Sequence, residues 1–116
     1  MLSYQYYAVS YVPDIHRDKG VVLCVVAISR DAPTFFAEKR LTNWTPVQEM
    51  DPDADCALLT KMLDDLCGRI ALNPAFAREA SGWENSLRVA PGGDFRTSDF
   101  EGTFSRIAQA ELGFVH

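Results

Sequence analysis

The side chains able to act as bases, nucleophiles or ligands are two histidines, three cysteines and 16 acids among 116 residues. His16 lies in Asp14-Ile15-His16-Arg17-Asp18. Asp14 or Asp18 could orient its imidazole for proton transfer, and Arg17 could hold an anion. A solvated turn explains the same residues without chemistry. His116 has no acid beside it, and no serine stands in the Gly-x-Ser-x-Gly setting of a nucleophile elbow. The Asp14–Lys19 loop is therefore the one enzyme reading the sequence offers.

The cysteines are Cys24, Cys56 and Cys67. Cys56 and Cys67 fall on one predicted helix, about three turns and roughly 16 Å apart at ~1.5 Å per residue. At that separation they share neither a zinc ion nor a disulfide. No pair of cysteines has the ligand spacing of about two to four residues found in zinc sites. Asp51-Pro52-Asp53-Ala54-Asp55 begins like a calcium loop, but Cys56 stands where glycine is needed and Met62 where the closing glutamate belongs. Gly92-Gly93 lacks the Lys-Ser/Thr of a phosphate-binding loop. No metal and no cofactor is expected. An odd cysteine count, with no basic start or cleavage site at Met1–Gln5, points to three buried, reduced thiols in a cytoplasmic protein.

The net charge is −5, and one segment carries it. Glu49 to Asp65 holds six acids against the single base Lys61, whereas 1–48 and 66–116 are close to balanced. This balance argues against binding nucleic acid or an anionic membrane, both of which need a surplus of Lys and Arg. The longest apolar run, Val21 to Ile28, is far short of a bilayer span. Tyr4, Tyr6, Tyr7 and Tyr11 could form a base-stacking platform, but no basic residues are interleaved with them, so they read as packing.

Hydrophobic periodicity supplies the elements that must position these groups. Residues 4–12 are β-branched and aromatic, a strand ended by Pro13-Asp14. Val21 to Ile28, apolar on both faces, is a central strand paired with it as a hairpin. Thr34 to Leu41 alternates, with Phe36, Glu38 and Arg40 on one side, as an edge strand does. Residues 42–50 read as an irregular connection. Asp51 is the expected N-cap of a helix over 52–72 whose stripe is Cys56, Leu59, Met62, Leu63, Leu66, Cys67 and Ile70. A short helical turn is expected within 75–82, then a strand over 84–90 and a turn at Pro91–Asp94. Ser98 and Glu101 have capping-box spacing before a last helix carrying Phe100, Phe104, Ile107, Ala108 and Leu112. The expected fold is a single α+β domain over 1–116, an antiparallel sheet of three to four strands packed against two helices.

Tyr11-Val12-Pro13-Asp14 followed by Gly20-Val21-Val22-Leu23 resembles a small bacterial family, the domain of unknown function 3037. Its members typically open with a strand ending in Tyr-Val-Pro-Asp, then a short charged loop and an Asn-Val-Gly-Val-Val-Leu-type strand. The acidic segment before a leucine-rich helix and Ser86-Leu87-Arg88-Val89-Ala90-Pro91 before a final helix fit as well. The chain departs at Asp18-Lys19, where the family has Asn-Val. The resemblance implies a fold and a bacterial or mobile-element setting, and no activity.

The reading that follows is a non-catalytic protein-binding or accessory module. It would act through an acidic surface on a partner with a basic one, with Glu49, Asp64 and Asp65 as the contact residues. One version is a phage-encoded inhibitor of a host defence protein, anti-CRISPR-like, filling a basic channel by charge complementarity. The alternative from a different class is a small enzyme using Asp14, His16, Arg17 and Asp18.

Overall fold

The computed structural model describes residues 2–14, 19–80 and 86–115. β1 (Leu2–Asp14) and β2 (Lys19–Ser29) pair as an antiparallel hairpin, and β2 is buried from Gly20 to Ser29. β3 (Phe36–Arg40) pairs with the outer side of β2, and β4 (Leu87–Thr97) with the outer side of β1. The order is β3-β2-β1-β4, antiparallel throughout. Three helices, α1 (Thr45–Met50), α2 (Cys56–Leu72) and α3 (Phe76–Glu79), lie between β3 and β4, and α4 (Phe100–Glu111) follows β4. This is the α+β arrangement the periodicity predicts.

The two long helices cover opposite faces of the sheet. Leu59, Leu63, Leu66, Cys67 and Ile70 of α2 pack with Tyr7, Val9, Tyr11, Leu23, Val26 and Val89. Phe104 of α4 packs with Val22, Val25 and Ala27 on the other side. Phe104 is thus buried against β2 from the side opposite α2, while Ile107 is only partly buried. The α4 face is aromatic: Tyr4 has ring centroids 5.2 Å from Phe35, 5.2 Å from Phe95 and 4.8 Å from Phe100. Tyr4, Tyr7 and Tyr11 are buried, so the tyrosines of β1 are packing residues.

Two β-bulges decide which side chains face which helix. In β2, Val9 pairs with Cys24 and Ser10 with Val22, which leaves Leu23 as the extra residue. Consecutive side chains Leu23 and Cys24 consequently both enter the α2 layer, where strict alternation would send one to each face. In β4, Tyr6 pairs with Gly93 and Tyr7 with Pro91, leaving Gly92 as the extra residue. Leu87 and Val89 thus face α2 while Phe95 faces α4. Gly92 is required there by close approach, since a Cβ at that position would overlap the Tyr6 ring.

Several local expectations are corrected. Residues 45–50 are helical, because Pro46 falls in the first turn, where its missing N–H is no loss. The second helix begins at Cys56, capped by Asp55, whose Oδ1 accepts from Leu58 N at 3.0 Å. Asp51 instead ends α1, with its N–H bonded to Val47 O at 2.8 Å. Pro91–Asp94 is not a turn but part of β4, an edge strand in which a proline and a glycine bulge are tolerated. Asp99, not Ser98, caps α4, its Oδ1 accepting from Gly102 N at 3.2 Å. The strand expected within 34–41 is β3, the helical turn expected within 75–82 is α3, and the expected stop at Asn73 is the C-cap of α2.

Candidate functional site

Among the described residues, two places bring acids or thiols together with polar partners. The first is a cleft of about 680 Å³ at the end of the β1–β2 hairpin. Pro13 and Lys19 come from the hairpin, Pro46, Glu49 and Met50 from α1, and Asp51 and Val115 close it. Val115 is there because Gly113–Val115 runs on beside β2 beyond the end of β3. Gly113 N donates to Val22 O at 2.9 Å, Val22 N donates to Phe114 O at 3.1 Å, and Val115 bridges to Val21.

The acids around this cleft divide by task. Asp51 Oδ2 accepts from the Tyr11 hydroxyl at 2.6 Å, and its Oδ1 accepts from Asp53 N at 3.2 Å. Burial first, and then the bond to Asp51, pushes the Tyr11 phenol up to about 12. Asp51 thus folds the α1–α2 connection onto the sheet, and Asp55 caps α2. Glu49 and Asp53 are exposed, and no cation among the described residues lies within ion-pair distance of either.

The other two predicted contact residues lie elsewhere. Asp64 accepts from Arg40 Nη1 at 2.6 Å, and Asp65 is paired with Arg69 at 3.2 Å along α2. Glu49, Asp64 and Asp65 do not form one uncompensated patch. Of the loop alternative, His16, Arg17 and Asp18 lie outside the described residues, and Asp14 is placed as the last residue of β1, paired with Lys19. The cleft sits at that end of the hairpin.

The second place is under the β3 edge. Cys24 Sγ and Cys67 Sγ are 3.8 Å apart, and Cys24 Sγ is 3.8 Å from Glu38 Oε2. Both cysteines are buried, while the Glu38 side chain is 32% exposed and so opens the group to solvent. Arg40 joins Glu38 to Asp64, with Nε to Glu38 Oε2 at 3.0 Å and Nη1 to Asp64 Oδ1 at 2.6 Å. Burial alone would lower the guanidinium pKa, and these two bonds more than offset it, so Arg40 stays charged. The hydrogen bond to Cys67, then burial, pushes the Cys24 thiol well above the usual thiol range. Cys56 is not part of this group and is half-buried rather than buried.

Sequence spacing finds neither feature. Cys24 and Cys67 are 43 positions apart, and only the Leu23 bulge turns Cys24 toward α2. The alternation of β3, which puts Glu38 and Arg40 on the α2 side, is the one legible clue. Compared with protein-family models, curated proteins and solved structures, the chain matches none.

Proposed function

We propose that the chain is a non-catalytic binding module that takes a basic segment of a protein partner at the cleft beside the α1–α2 connection. The observation that carries this is the exposed carboxylate of Glu49 in a cleft whose described lining holds the single cation Lys19, with exposed Asp53 bonded through its N–H to the lining residue Asp51. A basic side chain entering there would meet charges that no ion pair among the described residues already uses. Asp64 and Asp65, compensated by Arg40 and Arg69, contribute little to that field. No helix of the described residues is long and apolar enough to cross a membrane, and the proposed setting is cytoplasmic. The bacterial or mobile-element origin suggested by Tyr11–Asp14 and Gly20–Leu23, and the phage-inhibitor version, use the same surface.

The test is association of the immobilised chain with a captured basic protein, measured at two salt concentrations. Binding should weaken as the screening length shrinks from about 10 Å at 0.1 M to about 3 Å at 1 M salt. The double variant Glu49→Lys, Asp53→Lys should slow association at least tenfold at low salt, and Asp64→Lys, Asp65→Lys should leave it near the parent rate. Equal association of the Glu49/Asp53 variant and the parent would overturn the reading. Thermal stabilisation by a small metabolite, lost on His16→Ala, would favour the loop enzyme instead.

A further inference from the structure

We propose that Cys24, Cys67 and Glu38 form a binding site for one thiophilic divalent ion of the zinc class. The three side chains come from β2, α2 and β3, and their donor atoms all lie within 4.8 Å of one another. The geometry suits a tetrahedral ion. Two sulfurs each about 2.3 Å from such an ion stand about 3.8 Å apart, and a sulfur and a carboxylate oxygen about 3.6 Å apart. The observed separations are 3.8 Å for Cys24 Sγ to Cys67 Sγ and 3.8 Å for Cys24 Sγ to Glu38 Oε2. The sulfurs need not move, and Glu38, partly exposed at the edge strand, has room to close the remaining gap.

The surroundings match what a metal site needs beyond its ligands. Arg40 Nε already holds Glu38 Oε2 at 3.0 Å, a partner that orients the carboxylate from outside. The guanidinium of Arg40, shared between Glu38 and Asp64, offsets part of the negative charge that two thiolates and a carboxylate bring to the dication. Two thiolates side by side in a buried place repel each other. A dication between them offsets that repulsion. On binding, the two thiol protons leave to solvent, two metal–sulfur bonds form, and an oxygen of the Glu38 carboxylate gives the third bond. Glu38 lies on the solvent side, so the ion enters past it and keeps its fourth position toward solvent. Two soft sulfurs exclude magnesium and calcium, which take oxygen ligands.

The experiment uses the reduced, chelator-treated full chain titrated with Co²⁺ and then Zn²⁺. The expected result is one equivalent of Co²⁺, with thiolate-to-cobalt charge-transfer bands and the visible bands of a tetrahedral ion, displaced by Zn²⁺ with two protons released per ion bound. Cys67→Ser should weaken binding at least a hundredfold and Glu38→Gln at least tenfold, while Cys56→Ser, roughly 16 Å along the helix from Cys67, should bind as the parent does. Glu38→Gln alters an edge side chain, so it tests the site even if the buried cysteine variants fail to fold. A cobalt spectrum without charge-transfer bands, or affinity unchanged in Glu38→Gln and Cys67→Ser, would overturn the proposal. So would a folded, reduced parent that binds no cobalt and only forms a Cys24–Cys67 disulfide when given oxidised glutathione.

Discussion

The Tyr11 hydroxyl donates to Asp51 Oδ2 at 2.6 Å and so joins the middle of the sheet to the α1–α2 connection across 40 positions of sequence. Tyr11→Phe should cost about 1.5–3 kcal/mol, the range for a hydrogen bond to a charged group. The phenol pKa is raised from 10.0 to about 12. A raised folded value means the contribution is complete below the unfolded pKa, near 10, and is lost as pH rises through about 12. Denaturant midpoints of parent and Tyr11→Phe should therefore converge at strongly alkaline pH. A gap that is unchanged there would show that the phenol proton is not what matters.

Leu63 and Phe104 are each 1% exposed, on opposite faces of the sheet. Leu63→Ala should cost about 2–5 kcal/mol and Phe104→Ala about 3–5 kcal/mol. Because the sheet separates the two cavities, the double variant should show their sum within about 0.5 kcal/mol. Urea unfolding of all four proteins measures this, and a coupling well above that figure would mean the two layers share a core.

A methyl group at position 92 would overlap the Tyr6 ring. Gly92→Ala should destabilise the protein by about 1–3 kcal/mol, the usual cost of overpacking. In a Tyr6→Ala background most of that cost should vanish. If it persists, the bulge rather than the ring demands glycine.

Thiol labelling of the reduced, metal-free chain should be biphasic. Cys56 is half-buried and should react first, while Cys24 and Cys67 are buried and Cys24 holds its proton tightly. One thiol should label in the native state and two more after unfolding, as counted by mass spectrometry. Labelling of Cys24 at the rate of Cys56 would refute the described burial.

The sequence was informative where one physical force acted alone. Val21–Ile28 has no polar side chain, so it had to be covered on both faces. The α2 stripe from Leu59 to Ile70 left only one way to turn the helix. Expectation and structure part where two local solutions are nearly equal. Asp51 and Asp55 can both cap a helix, and the Tyr11 hydroxyl, which no local pattern reveals, recruits Asp51 elsewhere. Pro46 and Pro91 signal breaks, yet a first helical turn and an edge strand each accept proline. The Cys24–Cys67 contact depends on a bulge, and alternation rules cannot foresee an inserted residue. The acidic segment was legible as composition, but its division between free and ion-paired carboxylates required the positions of Arg40 and Arg69.

The pairing of Leu2 with Thr97 puts a delay into the birth of this protein. On the ribosome the β1–β2 hairpin can close early, but the outer edge of β1 has no partner until β4 has emerged. Roughly 70 residues must be added between Ser29 and Thr97, which at about 5–20 residues per second takes roughly 3–14 s. Through that interval a long strand rich in tyrosine and valine shows an open row of backbone donors and acceptors, the kind of edge that recruits other chains. Chaperone crosslinking to stalled nascent chains should be strong before Leu87 emerges and fall after Thr97, so the most vulnerable moment in this molecule's life falls before its last strand is made.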